Sequence, residues 1–578
     1  MGRMKKLLCY LKNYRMEALL APLFKLLEAG FELLVPLVVS GMIDTGIAGN
    51  DRNYLYSRGL VLILFAAVGL VSAVTAQYFS AKAAVGFGTA MRDDLFRHIL
   101  SLSAAETDTA GKATLITRMT NDSNQIQNGV NMFFRLVLRS PFIVFGAMVM
   151  AYRIKGSEGL LFTGVIAALF FIVFLIMRVS VKGYRLVQKK LDTVLTKTSE
   201  NLTGVRVIRA FNREEAEKKS CADAAGALAG EQIKVGKISA LMNPVTYVCI
   251  NLGVIAVLKT GAVNVSAGSL TQGQVVALVS YMSQILVELV KLANLIILLS
   301  KSEASAKRIN EIFALKSSLK DGTADAGSVI PSVEFENVGF TYPGASEEAV
   351  SDISFRAEPG QTIGVIGGTG SGKTTVMDLI PRFYDAGRGR ILIGGRDIRE
   401  YHIRSLRDAV GIVEQKTFLF GGTIEGNLLW GKKDATPDEL SEAVKTAQAQ
   451  NVISGKSGNM EAEVEQEGRN FSGGQKQRLS LARTFAKDPK ILILDDSSSA
   501  LDFATDASLR KAIAEKYAAS TVFMVSQRVT SIRHADRILV LDDGKMVGNG
   551  THEELLKNCG VYREICLSQL SEEEVKKA

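Results

Sequence analysis

Eight residues, Gly367-Gly368-Thr369-Gly370-Ser371-Gly372-Lys373-Thr374, fit the pattern G-x-x-x-x-G-K-[ST], and Thr375 follows them. The apolar run Thr362-Ile363-Gly364-Val365-Ile366 comes just before, so the segment reads as strand, glycine loop, helix. Glycines let backbone N–H groups converge on phosphate oxygens. Lys373 supplies a point charge to the terminal phosphates, and the Thr374 hydroxyl is suited to Mg²⁺. Other stretches supply matching chemistry. Ile491-Leu492-Ile493-Leu494-Asp495 is a buried strand ending in a carboxylate, the expected partner for Mg²⁺ held by Thr374, and Asp496 follows it. Ile412-Val413-Glu414-Gln415 ends a strand in an amide suited to Mg²⁺ or water. Ser472-Gly473-Gly474-Gln475 opens a helix with small residues, a second anion nest. Tyr342, ahead of the loop, is an aromatic able to stack on a base. Thr521 to Ser526 reads as a final strand ending at Gln527.

The elements that must hold these residues fall in two unlike halves, which the mean hydropathy of +0.17 averages away. Roughly the first 300 residues carry long apolar stretches; the rest has the look of a soluble α/β protein. The expected fold is an all-α six-helix transmembrane domain over 1–315, a linker over 316–332, and an α/β P-loop domain with a helical subdomain over 333–578. The candidate spans are Glu17 to Asp44, Gly59 to Ala84, Met132 to Tyr152, Gly159 to Val181, Ile238 to Leu258 and Gln274 to Ser300. The first is too long for a signal h-region and lacks a small-residue cleavage site, so it is expected to be retained. Short connections alternate with two long charged arms, Val85 to Asn131 and Lys182 to Lys237, which read as helices leaving the membrane and each turning back near its middle; the stretches Thr117 to Asp122 and Glu200 to Phe211 stand out within them. The net charge of +9 suggests nucleic acid at first sight, but Arg3, Lys5, Lys6, Lys12 and Arg15 cluster beside an apolar segment, as the positive-inside rule requires. Five scattered cysteines and four histidines indicate neither a disulfide framework nor a metal cluster.

Charges inside the spans need a partner or a cavity, since one at the bilayer centre costs at least ~2.5 kcal/mol. Counting inward at ~1.5 Å per residue puts Glu32 about 18 Å, Glu28 about 24 Å and Glu288 about 22 Å deep. Lys25 stands three residues from Glu28 and Lys291 three from Glu288, so a structural ion pair, or a cytoplasmic extension of the helix, is one expectation. The other is that Glu32 and Glu288 line a substrate cavity that favours cationic or amphipathic cargo.

Taken together, the motifs make the chain resemble a half-transporter of the ATP-binding cassette (ABC) exporter superfamily, type IV transmembrane fold, over its whole length. The resemblance implies ATP and Mg²⁺ as ligands, with Tyr342 as A-loop, Gly367 to Thr374 as Walker A, Gln415 as Q-loop, Ser472 to Gln475 as signature, Asp495 as Walker B and Asp502 as D-loop. It makes the turns of the two arms look like coupling helices. It also implies an integral protein of the bacterial inner membrane, its nucleotide-binding domain cytoplasmic, in contact with membrane lipid and moving a small amphipathic substrate. In such transporters each ATP is sandwiched between one half's Walker A and the other half's signature.

Two positions depart from the pattern: Asp496 stands for the family's catalytic glutamate and Gln527 for its switch histidine; His534, seven residues on, is not at the switch position. Aspartate withdraws the carboxylate by ~1.5 Å, and glutamine cannot take up a proton. The expectation is a degenerate site that binds ATP and hydrolyses it weakly. This resembles one half of heterodimeric bacterial multidrug exporters, whose second half supplies the catalytic Glu and His. A homodimeric exporter with slow ATPase and an ATP-binding regulatory membrane subunit are the alternatives.

Overall fold

The computed structural model describes residues 6–497 and 499–570. It divides into two compact units, one of residues 1–99 and 113–314, the other of residues 100–112 and 315–578.

The first unit is helical. Among the described residues, six helical stretches are long and apolar enough to cross a bilayer: Leu8–Ile47, Arg52–Ser101, Lys112–Ile154, Gly156–Thr203, Glu214–Ser266 and Gln272–Ala314. The second contains one continuous helix of 50 residues, roughly 75 Å long, far more than the ~30 Å hydrocarbon core. It turns small residues such as Ser72, Ala76, Ser80, Ala83 and Ala84 inward, which allows close helix approach where no hydrophobic effect drives association. Its large residues Leu60, Ile63, Leu64 and Leu70 point outward. Ala29, Leu33, Ile143, Ala147, Phe162, Tyr281 and Ile285 form the packed interior.

The first arm turns back near its middle, as expected, and the turn is not at Thr117 to Asp122. Thr117 to Asp122 is helical, the end of helix Lys112–Thr117 running into a π-helical turn, Arg118–Asp122. Asp122 is buried there and accepts hydrogen bonds from Arg118 Nη1 at 2.9 Å and Arg308 Nε at 2.9 Å. The chain reverses earlier, through the short helix Ala104–Ala110, which belongs to the second unit. Ser103 and Glu106 cap that helix reciprocally, and Gly111 ends it at φ +77°, where a residue with a Cβ is disfavoured. The second arm breaks where expected, at Gly204 and Phe211, around the short helix Val205–Ala210.

Among the described residues, the second unit holds three sheets. Strands β1 (Val333–Phe340), β2 (Val350–Ala357), β4 (Arg388–Ile393) and β5 (Arg396–Asp397) form an antiparallel sheet in the order β2-β1-β4-β5. The central sheet runs β12-β11-β3-β10-β9-β6, with β3 at Thr362–Gly367, β6 at Val410–Val413, β9 at Ile491–Asp495, β10 at Thr521–Val525, β11 at Arg537–Asp542 and β12 at Lys545–Gly550. A two-residue pair, β7 (Gly422–Thr423) and β8 (Glu463–Val464), completes the set. Strand β10 is therefore not the final one: β11 and β12 follow, β11 lying parallel beside β3. The uninterrupted apolar runs of β3 and β9 are those of parallel strands covered on both faces. A second core, including Leu440, Val444, Leu479 and Phe485, builds the helical subdomain.

Residues 316–332 are pinned to this unit. Asp321 accepts from the Ile403 N–H at 2.7 Å, Asp325 accepts from the Gly327 N–H at 2.9 Å, and Ala326 is fully buried.

Candidate active site

Parallel pairing sets the site. Val525 at the end of β10 is in register with Val365 on one side and Asp495 on the other. The carboxyl ends of β3, β9 and β10 thus meet, at the edge where open α/β sheets bind ligands. One cleft of about 330 Å³ there is lined by Tyr342, the loop from Thr369 to Thr375, Gln415, Asp495, Asp496 and Gln527. Gly370 at φ +84° and Gly372 at φ +91° turn the loop ahead of helix Lys373–Leu379. A Cβ on Gly372 would lie 2.6 Å from Val350.

The cleft is polar and charged. Lys373 Nζ donates to the carbonyls of Gly367 and Gly368 at 2.9 and 2.6 Å, and burial lowers its pKa. Thr374 Oγ1 donates to Asp495 Oδ2 at 2.8 Å. Burial raises the pKa of Asp495, with the Asp496 charge adding to it and the Thr374 hydrogen bond opposing. Burial likewise raises Asp496, against a hydrogen bond from Gln415 Nε2 at 3.3 Å. A hydroxyl and a carboxylate in contact are hard oxygen donors of the kind Mg²⁺ takes, and a cation offsets carboxylates crowded together. Thr374 and Asp495 are the residues that fit it; Gln415 is engaged with Asp496. When bound, Mg²⁺ supplies charge neutralisation to the phosphates.

Asp496 is held firmly by its backbone. Its φ is +46°, its N–H donates to the Val525 carbonyl at 2.9 Å, and its own carbonyl accepts from Gln477 Nε2 at 3.2 Å and Ser499 Oγ at 3.0 Å. Gln477, 2 % exposed, lies on the helix Gly473–Ala486 that Ser472 and Gln475 cap. Ser472 to Gln475 and Asp502 do not line the cleft; Asp502 caps the helix Phe503–Lys516. His534 accepts from its neighbour Arg533 and lies outside the cleft.

Three residues escaped the sequence reading. Tyr342 Oη is 3.1 Å from Thr375 Oγ1, and its ring meets Tyr384 edge to face at 5.4 Å. Tyr384 Oη donates to Asp108 at 2.6 Å, linking the Tyr342 ring to the short helix of the first arm. Asp378, one turn into the loop's helix, has its pKa pushed up to about 7 by burial and by the charges of Asp495, Glu414 and Asp108. Only Asp378, four residues beyond Thr374, could have been suspected from spacing.

In the membrane unit, Glu288 is 2 % exposed and does not face open space. Its carboxylate accepts from Arg139 Nη1 at 2.5 Å, Ser140 Oγ at 2.7 Å and Lys291 Nζ at 2.8 Å. Arg139 Nη2 also donates to Glu32 at 2.7 Å, and Lys25 pairs with Glu28 at 2.5 Å. The expected cavity role of Glu288 is corrected to a buried ion-pair network, whereas the Glu32 side chain stays 40 % exposed. Arg139, the missed partner, was legible as one of two arginines, with Arg135, inside a largely apolar span.

The comparisons with known proteins agree with this architecture. The family of ABC transporter transmembrane regions matches residues 18–289, and the ABC transporter family matches residues 350–499. The uncharacterized ABC transporter ATP-binding protein YfiB of Bacillus subtilis is 34 % identical over 570 residues, 99 % of each chain. YgaD of the same organism, named as a candidate multidrug export ATP-binding/permease protein, is 31 % identical, covering 98 % of this chain and 99 % of its own. A bacterial Atm1-family ABC exporter solved with ATP bound superposes with a TM-score of 0.80 at 25 % identity, over 96 % of this chain and 99 % of that one. The chain belongs to the ABC transporter family. It is an exporter half-transporter, one transmembrane domain joined to one ATP-binding domain, in a class where ATP hydrolysis drives transport.

Proposed function

We propose that this chain is the degenerate-site subunit of a heterodimeric exporter of amphipathic drugs, lipids or peptides, with its nucleotide-binding unit in the cytoplasm of a bacterial cell. One observation carries the proposal: a phosphate loop, Lys373, Thr374 and Asp495 that are complete for binding share a cleft with Asp496 and Gln527, which are poor for hydrolysis. A general base must come within ~3.2 Å of the attacking water, and Asp496 falls short of a glutamate's reach by one methylene. Gln527 donates a hydrogen bond but stores no proton. In this scheme Lys373 and the loop amides hold the phosphates, Tyr342 stacks on the base, and Ser472 to Gln475 complete the partner's site. ATP sandwiching then favours the closed nucleotide domains, and hydrolysis at the partner's site resets the cycle.

The test is affinity capture of the chain from its native membrane, followed by ATPase assay with and without the captured half-transporter. Weak hydrolysis by the chain alone and stimulated hydrolysis by the pair are expected. Brisk ATPase and transport by the chain alone would refute heterodimerism.

A further inference from the structure

The N-terminal end of the membrane unit carries a groove apart from the nucleotide cleft. It is a cleft of about 610 Å³ whose walls include Leu8, Leu11, Leu19 and Leu138 and whose rim holds Lys12 and Arg15. Both cations are exposed, and among the described residues neither has an ion pair. The nearby acid Glu17 is taken by Lys82 at 2.9 Å, so it does not cancel them. Two positive charges without an ion pair among the described residues therefore sit over an apolar trough.

Depth and the apolar stripe narrow the occupant. The helix Arg15–Gly41 has 27 residues, about 40 Å, which matches a bilayer with its headgroup layers. With its far end at one surface, Arg15 lies at headgroup level at the other. Leu19, Leu23 and Leu27, spaced four apart and 64, 53 and 45 % exposed, continue the trough as a stripe into the acyl region. A ligand with an anionic phosphate and a long acyl chain meets the charge of the rim and the apolar stripe together, whereas a free anion leaves the leucine stripe unused.

We propose that this groove is a binding site for an anionic phospholipid of the cytoplasmic leaflet, of the phosphatidylglycerol kind, with its phosphate on Lys12 and Arg15 and an acyl chain along Leu19, Leu23 and Leu27. The assignment to the cytoplasmic leaflet rests on the orientation given under Proposed function. Cationic side chains near an anionic headgroup each favour it by about fivefold, so the pair enriches such a lipid some twentyfold or more over a zwitterionic one.

Cys9 lines the groove and is exposed, which makes it a reporter site. The full-length chain, with Cys221 and Cys249 replaced by serine, is labelled at Cys9 with a fluorophore and placed in nanodiscs. The discs hold phosphatidylcholine with a minor fraction of brominated phosphatidylglycerol or, separately, brominated phosphatidylcholine. Quenching by brominated phosphatidylglycerol at a roughly twentyfold lower mole fraction is expected, and Lys12→Gln with Arg15→Gln should abolish the difference. Arg15→Lys should keep it, and unchanged binding of a fluorescent ATP analogue shows that each variant is folded. Equal quenching by the two lipids, or selectivity that survives the double substitution, would overturn the site. Labelling of Cys9 in intact cells by an impermeant reagent would instead overturn the orientation and the leaflet, with lipid selection in nanodiscs left standing.

Discussion

Lengthening Asp496 by one methylene is the most direct probe of the nucleotide site. Asp496→Glu extends the carboxylate by ~1.5 Å. The backbone cannot absorb that change, because the Asp496 N–H and carbonyl are held by Val525, Gln477 and Ser499. A misplacement of 1 Å costs about 10²-fold in rate, so the substitution should speed hydrolysis at this site by about 10²-fold, or ~2.7 kcal/mol of barrier. The left-handed φ of +46° at this position suits aspartate better than glutamate, so a small loss of thermal stability should accompany the gain. The assay is single-turnover hydrolysis of γ-labelled ATP with protein in excess, comparing wild type, Asp496→Glu and Asp496→Asn at matched nucleotide occupancy. The Asp496→Asn variant should differ little from wild type. If Asp496→Glu leaves the rate within threefold of wild type, or if Asp496→Asn alone lowers it by about 10²-fold, Asp496 is already a competent base and the geometric reasoning fails.

Two further outcomes concern stability. Arg139→Met leaves Glu32 and Glu288 without their arginine and should destabilise the solubilised chain by about 3–5 kcal/mol; Arg139→Met with Glu288→Met should recover much of it in thermal unfolding, and failure to recover would deny the pairing. Asp378, ordinarily near 3.8 and raised to about 7 in the fold, binds its proton more tightly when folded. Its contribution is full below the unfolded value and is lost as pH rises through 7, about 2.7 kcal/mol between pH 5 and pH 8. Asp378→Asn should flatten that part of the pH dependence of melting in the nucleotide-free protein, and an unaltered slope would exclude Asp378 as its source.

Local chemistry wrote most of the nucleotide site into the sequence. A glycine loop after an apolar strand, a strand ending in Asp495 and a serine-capped helix at Ser472 each declare themselves by neighbours within a turn, because loop, cap and strand geometry depend on adjacent residues. Six apolar stretches declare themselves likewise, since length and hydropathy suffice to predict a span. The turn of the first arm, expected near its middle, also has a local signal, the Ser103-x-x-Glu106 cap followed by Gly111.

Contacts between distant segments belong to the tertiary structure alone. Arg139 meets Glu288 across 149 positions and Tyr384 meets Asp108 across 276, and no periodicity links such pairs. Parallel register brings Asp495 and Val525 alongside Val365, and burial in the folded unit, not residue type, raises Asp378. The charge of Glu288 was readable in the chain, but whether it faced a cavity or an arginine was decided only when the helices packed, because desolvation requires every buried charge to find a partner and the partner came from another span.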